Sequence, residues 1–225
     1  MKTNIITLIV TALLLSGIQT QAQYISDIEA RPSISIEFKP LRNLSISGTY
    51  YVYLNDNISR YKKSVIAGEI GYKINSWLKT GGEYRYGMSD NGTHYNEIRY
   101  DLTFKGDISK KLEIKYRPML QLEFGSLNKD HLAVNPMEYF WANRVTLSYQ
   151  ISKKADIYVF SENYQEIDHG KMDFDKQKSA IGTKLKVGNR SKIDFRVDLI
   201  NKKKGKNELR PCLNYAITIG GKKKK

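Results

Sequence analysis

The feature that most restricts this chain is a period of two. From about residue 33 onward, apolar and polar side chains alternate in segment after segment. Successive side chains of a strand point to opposite faces, so this alternation describes strands buried on one face only. The clearest case is Glu97–Lys105, where Ile98, Tyr100, Leu102 and Phe104 oppose Glu97, Arg99, Asp101, Thr103 and Lys105. Leu112–Phe124 and Lys192–Ile200 repeat it, and weaker versions run through Ser33–Lys39, Leu44–Leu54, Val65–Ile74, Leu78–Tyr86, Trp141–Ile151, Asp156–Tyr164, Ser179–Val187 and Leu209–Ile219. No segment carries a 3.6-residue helical period. The chain reads as all-β, with eleven candidate strands.

The connections between these strands alternate in length. Short ones, such as Asn75-Ser76-Trp77 and Ser152-Lys153-Lys154, take turns with longer polar ones at Asn55–Lys63, Gly87–His94, Gly125–Glu138, Gln165–Lys178 and Asn201–Glu208. Short turns at one end and long loops at the other describe an up-and-down antiparallel meander, the pattern of transmembrane barrels. Two prolines disturb it: Pro118 inside a clean strand and Pro211 near the start of the last one. Each removes a ladder donor, which a closed sheet accommodates at a bulge or an edge. The odd count also sits poorly with the even numbers of bacterial barrels. Residues Tyr24–Arg31 offer a twelfth strand, so ten to twelve strands are expected, with twelve preferred.

Alternation alone does not say which face is inside. A soluble periplasmic barrel would bury the apolar face around an apolar ligand. Three features favour the membrane. Several strands run nine to thirteen residues, enough to cross a bilayer at a tilt. Aromatics gather near strand ends, with Tyr72, Trp77 and Tyr149 by short turns and Tyr50, Tyr84, Tyr86, Tyr139 and Trp141 towards the long loops. Rings with a polar tip prefer the two bilayer interfaces. Finally, the charged face mixes both signs closely, as a lumen filled by pairing side chains requires. The candidate lumen-lining set is Glu83, Arg85, Arg99, Asp101, Arg117, Glu123, Arg144, Arg196, Asp198 and Arg210.

Composition agrees. The mean hydropathy of −0.51 and the lack of an apolar run of about 18 residues exclude a helical membrane protein. The formal charge of +14 first suggests nucleic acid or an anionic membrane surface. Most of that excess lies in the short turns and the Lys222–Lys225 tail, so it reads as a basic end facing inner-leaflet headgroups. Residues 1–22 read as a secretory signal, with Lys2, the apolar run Ile5–Leu15 and the small-residue cut site Thr20-Gln21-Ala22. Export argues against a nucleic-acid partner, and the single Cys212 has no partner for an intramolecular disulfide. Residues 23–221 are then the barrel.

The chain resembles the uncharacterised Bacteroidetes-type outer-membrane proteins grouped as domain of unknown function twenty-four-ninety. The resemblance rests on a recurring unit, a strand ending in a Tyr-Lys-like pair, a short Asn/Ser/Lys turn and a strand opening with Leu or Trp. Examples are Gly71-Tyr72-Lys73-Ile74-Asn75-Ser76-Trp77-Leu78 and Ser148-Tyr149-Gln150-Ile151-Ser152-Lys153-Lys154, with Glu83-Tyr84-Arg85-Tyr86 as the following strand. It implies a fold and no activity. One departure is that Tyr215–Ile219 is followed by Gly220-Gly221 and four lysines, where barrels commonly end on an aromatic residue for the assembly machinery.

Catalytic chemistry has little support. His94, His131 and His169 all fall in the long loops, two of them directly after an aspartate. Neighbours in extended chain point opposite ways, so Asp130-His131 and Asp168-His169 are poorly placed to act together. No GxSxG or HExxH motif accompanies them. Lys62-Lys63 and Lys202-Lys203-Lys204 read as basic outer loops, solvated or in contact with lipopolysaccharide phosphates. The expectation is a monomeric outer-membrane barrel without metal or cofactor, structural or a narrow, plugged pore. It partners outer-membrane lipids and the barrel assembly machinery. The alternatives are an outer-rim lipid or peptide hydrolase and a soluble periplasmic barrel.

Overall fold

A computed structural model describes residues 25–127, 137–204 and 207–220, without the side chains of residues 125–127. The 1–22 leader and the Lys222–Lys225 tail, like Tyr24 and His131, lie outside the described residues. The elements are β1 (Asp27–Ile28), β2 (Arg31–Lys39), β3 (Leu44–Asn55), β4 (Arg60–Lys73), β5 (Leu78–Ser89), β6 (His94–Asp107), β7 (Leu112–Leu127), β8 (Glu138–Gln150), β9 (Ala155–Asp168), β10 (Lys171–Val187), β11 (Ser191–Lys202) and β12 (Glu208–Gly220). From β2 to β12 each strand pairs antiparallel with the next, and β12 returns to pair with β2. The result is a closed barrel, and closure leaves no edge strand.

The number of spans follows from register. Residue 27 of β1 faces residue 208 of β12, and residue 31 of β2 faces residue 212, the same offset. Ala30 likewise bridges Leu54 in line with the β2–β3 ladder. Thus β1 continues β2 as one interrupted strand, and the twelfth segment adds no twelfth span. The barrel closes on eleven strands, with one short extra segment. A meander with an odd count brings its first and last strands together running the same way, so the closing pair β12–β2 is parallel.

Both prolines sit where the ladder gives way. Pro118 pairs with Asn143 on the β8 side, while the β6–β7 register skips Leu102 and Thr103, which lie opposite it and Arg117. Pro211 keeps Val197 on the β11 side. On the other side it faces the gap between β1 and β2, where a proline has no N–H to offer.

The apolar face is outside. Ile66 is 61% exposed, Ile70 58%, Ile181 54% and Ile36 51%, whereas the charged Glu97, Glu162 and Asp198 are buried on the inner face. Burying such a surface requires lipid, which answers the question alternation left open. The soluble barrel with an apolar interior is corrected on this point. Trp77, Phe104 and Tyr116 form a stacked row on the outer wall, with centroids 6.1 and 6.2 Å apart. Tyr72, Tyr149, Tyr86 and Tyr139 are exposed near strand ends, while Tyr50 and Tyr84, expected there too, are exposed at mid-strand.

The long loops are also corrected. Much of Asn55–Lys63, Gly87–His94 and Gln165–Lys178 is strand, and β10 starts as early as Lys171. Above a bilayer both faces of a hairpin meet water, so alternation fades while backbone pairing continues. The β9–β10 hairpin closes through His169 and Gly170, both at positive φ (47° and 77°). That is the two-residue turn whose twist suits a hairpin.

Candidate functional site

The inner positions of the strands project into a shared lumen, and their charges condense into wall-mounted networks. In the largest, Glu162 of β9 accepts from four donors. Arg144 Nε and Nη2 reach its two oxygens at 2.8 Å each, Arg117 Nη2 lies at 3.2 Å, Lys178 Nζ at 3.3 Å and the Tyr164 hydroxyl at 3.0 Å. The donors come from β7, β8, β9 and β10, so one carboxylate ties four adjacent strands. The bidentate fork of Arg144 fixes its orientation.

A second network spans β5 and β6. Arg85 Nη2 donates to Glu83 at 3.0 Å, Arg99 pairs with Glu97, and Arg99 Nη1 lies 3.7 Å from Glu83. On β11, Arg196 Nε donates to Asp198 at 2.7 Å, and the buried Cys212 thiol lies 3.6 Å from the same carboxylate. A further network closes the seam. Arg210 donates to both Glu29 and Glu208 at 2.8 Å, Lys62 pairs with Glu29, and Lys202 pairs with Glu208.

These networks surround a central cavity of about 410 Å³. Nine of the ten residues expected in the lumen lie on its wall: Glu83, Arg85, Arg99, Asp101, Arg117, Glu123, Arg144, Arg196 and Arg210. The tenth, Asp198, is fully buried behind Arg196. A further recess of about 580 Å³ opens at the short-turn end, among Lys105, Lys111, Glu113, Lys115 and Lys184.

Several inner residues were not legible as such. Lys62 and Lys63 are not an outer loop. The β3–β4 register shifts between Tyr53 and Leu54 so that Tyr53 faces Lys63 and Leu54 faces Tyr61, leaving Lys62 as a bulge. Both lysines then turn inward, Lys62 to Glu29 and Lys63 over the Tyr53 and Tyr95 rings. Lys202 likewise points in to Glu208, while Lys203 pairs with Asp173 on the neighbouring hairpin. Glu162 could have been found from the Glu162/Tyr164 alternation, but its role needs the three cations of other strands.

The histidines do not form a reactive set among the described residues. His94 Nδ1 meets the Tyr86 hydroxyl at 2.5 Å on the outer wall, with the rings stacked. Asp168 and His169 do meet, at 2.6 Å, contrary to the extended-chain expectation, because the turn at His169 folds the pair together. Both are largely exposed, and among the described residues no serine or cysteine is bonded to either histidine. No group of described residues has the make-up of a metal site.

An apolar outer wall, interfacial tyrosines and a charge-filled lumen define a barrel of the outer-membrane type. Four solved chains match it; one is a bacterial polysaccharide outer membrane secretin, with 10% identity over 78% of this chain and 74% of that one, at a TM-score of 0.50. At that identity the likeness shows the fold alone. No protein-family model matches the chain, and no curated protein matches it. The exposed apolar wall of this barrel is a surface suited to a membrane.

Proposed function

We propose that this protein is a monomeric outer-membrane barrel whose lumen is a narrow passage held nearly shut by its own ion pairs, with no enzymatic role. Glu162 is the observation that carries this reading. One carboxylate, 1% exposed, gathers Arg117, Arg144 and Lys178 from three strands and holds their long side chains inside the lumen. Paired in this way, the charges act as packing that water and solutes do not displace cheaply. Tyrosines at the two rims anchor it to lipid, and the assembly machinery for barrels inserts it. The resemblance to an outer-membrane family without assigned activity agrees with this and adds no chemistry.

The test is conductance in planar bilayers. Wild type is expected to give only small, brief openings, and Glu162→Ala several-fold larger ones, because three cations lose their tether. Large, steady channels from wild type would refute the closed lumen.

A further inference from the structure

The two signs of charge are not equivalent in this lumen. Among the described residues, the charged side chains in the fully buried class are all acids: Glu29, Glu97, Glu162, Asp198 and Glu208. Their partners stand further into the cavity. The Lys62 side chain is 34% exposed against 0% for Glu29, and Lys202 is 30% against 5% for Glu208. At these pairs the carboxylate sits back against the wall and the ammonium stands nearer the opening, while elsewhere Glu83, Asp101 and Glu123 line the cavity beside the cations.

Two of those cations have no carboxylate in direct contact, Asp198 being the more distant counter-charge of Arg31 and Glu123 that of Lys63. Among the described residues, neither Arg31 nor Lys63 has a carboxylate within the 4.0 Å of an ion pair. Both stand against aromatic faces instead. The Arg31 guanidinium is 5.4 Å from the Tyr51 centroid and 5.9 Å from that of Tyr53. The Lys63 ammonium is 5.1 Å from Tyr53 and 4.5 Å from Tyr95. A ring face orients a cation without neutralising it or satisfying its N–H donors. Arg31 Nε is in fact buried with no hydrogen-bond partner among the described residues. Arg85 and Arg210 close the same corner, each 5.5 Å from one of these rings.

We propose that this corner of the lumen is an oxyanion subsite, in which a phosphate or a small phosphate monoester is held by Arg31 and Lys63, the two cations that flank the Tyr53 ring from the neighbouring strands. Two cations without a contacting carboxylate match a group that carries about −1.5 to −2 at neutral pH, whereas a carboxylate would pair with only one. Arginine supplies a fork for two oxygens and lysine a point charge, the usual division in phosphate sites. The cavity of about 410 Å³ leaves room for a small organic group beyond the phosphate. The β4 bulge that turns Lys62 and Lys63 inward together gives this placement a structural cause: one lysine serves Glu29 and the other is left for the ligand.

The subsite rests on the charged, closed lumen proposed above, and calorimetry separates the two. Refolded barrel in detergent micelles is titrated with inorganic phosphate, then with glycerol phosphate, at constant ionic strength held by chloride. Saturable binding is expected, at least tenfold weaker in Arg31→Gln/Lys63→Gln and unchanged in Lys73→Gln, an exposed lysine near the short turns. Saturation by glycerol phosphate but not inorganic phosphate would assign the ester; saturation by both, the phosphate group itself. Heat-modifiable gel migration checks that each variant is folded, and Lys63→Gln alone replaces the double variant if that one is not. Absence of saturable binding to wild type, or equal binding by the folded variant, overturns the subsite. Low conductance without phosphate binding would sink the subsite alone; phosphate binding with large steady channels would sink the closed lumen alone.

Discussion

Pro211 stands two residues past Leu209 on the closing seam, where the ladder should return a hydrogen bond to the Glu29 carbonyl and a proline has none to give. Glu29 N–H donates to the Leu209 carbonyl at 2.9 Å, and the pairing then lapses until Cys212 meets Arg31. Side chains take over at the gap: Arg210 Nε donates to the fully buried Glu29 carboxylate at 2.8 Å, with Lys62 as its second partner. Removing one member of a buried pair costs roughly 3–5 kcal/mol. Glu29→Ala is expected at the low end, about 3 kcal/mol, because Glu208 still accepts from Arg210. Urea unfolding in lipid vesicles measures it. A loss near zero would show that the parallel ladder closes the barrel unaided.

Gly182 makes room for a ring inside the lumen. A Cβ there would lie 2.6 Å from the Arg196 Cβ and 2.6 Å from Tyr158 Cζ, and that ring is tied down by its hydroxyl, which donates to Asp194 at 2.6 Å. Neither neighbour can yield freely, so Gly182→Val should cost about 1–3 kcal/mol by overpacking. Gly68→Ala is the control, since nothing lies within 4 Å of its added carbon. It should be neutral or slightly stabilising, through the denatured chain. Equal effects at both sites in the same unfolding assay would contradict the packing around Tyr158.

How much of this was readable beforehand depends on whether a property is local. Alternation is local, so Ile98, Tyr100 and Leu102 declared their strand and their common face. The side that face takes was not local; it emerged only from tyrosines at strand ends and mixed charges between them. Closure parity was hidden, because Asp27–Ile28 is too short to show a period and is recognised as part of β2 only by sharing its offset to β12. The Lys62 bulge was invisible for the same reason: adjacent lysines in a polar stretch look like a loop until Tyr53 and Leu54 fix the register across from them. Pro211 did stand out in the sequence, but its meaning required the residue across the seam.

The lipid-facing wall gives a depth-dependent prediction. Ile181 is 54% exposed and pairs with Val159 and Val197, which places it amid apolar wall. Val187, 48% exposed, ends β10 at the short-turn side. An arginine at the bilayer midplane of a barrel costs about 2–4 kcal/mol, falling to about 0–1 near an interface. Ile181→Arg should therefore destabilise strongly in vesicles and Val187→Arg hardly at all. A similar small loss at both positions would mean that this wall does not face hydrocarbon.

Orientation follows from the unequal ends. The turns after β2, β4, β6, β8 and β10, together with the strand ends beside them, carry most of the net positive charge, and each of their basic residues is worth up to about 1 kcal/mol beside an anionic surface. The opposite end carries the extended hairpins, including the exposed tip that begins β10 at Lys171. Bacterial barrels keep short turns in the periplasm and longer elements outside. Cysteine labelling reads this with little background, because the native thiol of Cys212 is buried in the lumen beside Asp198. A membrane-impermeant maleimide should label Lys171→Cys on intact cells, and Asn189→Cys, in the turn between β10 and β11, only after lysis. The opposite pattern would invert the barrel. Labelling of neither site on intact cells, and of both after the outer membrane alone is permeabilised, would place the protein in the periplasm instead.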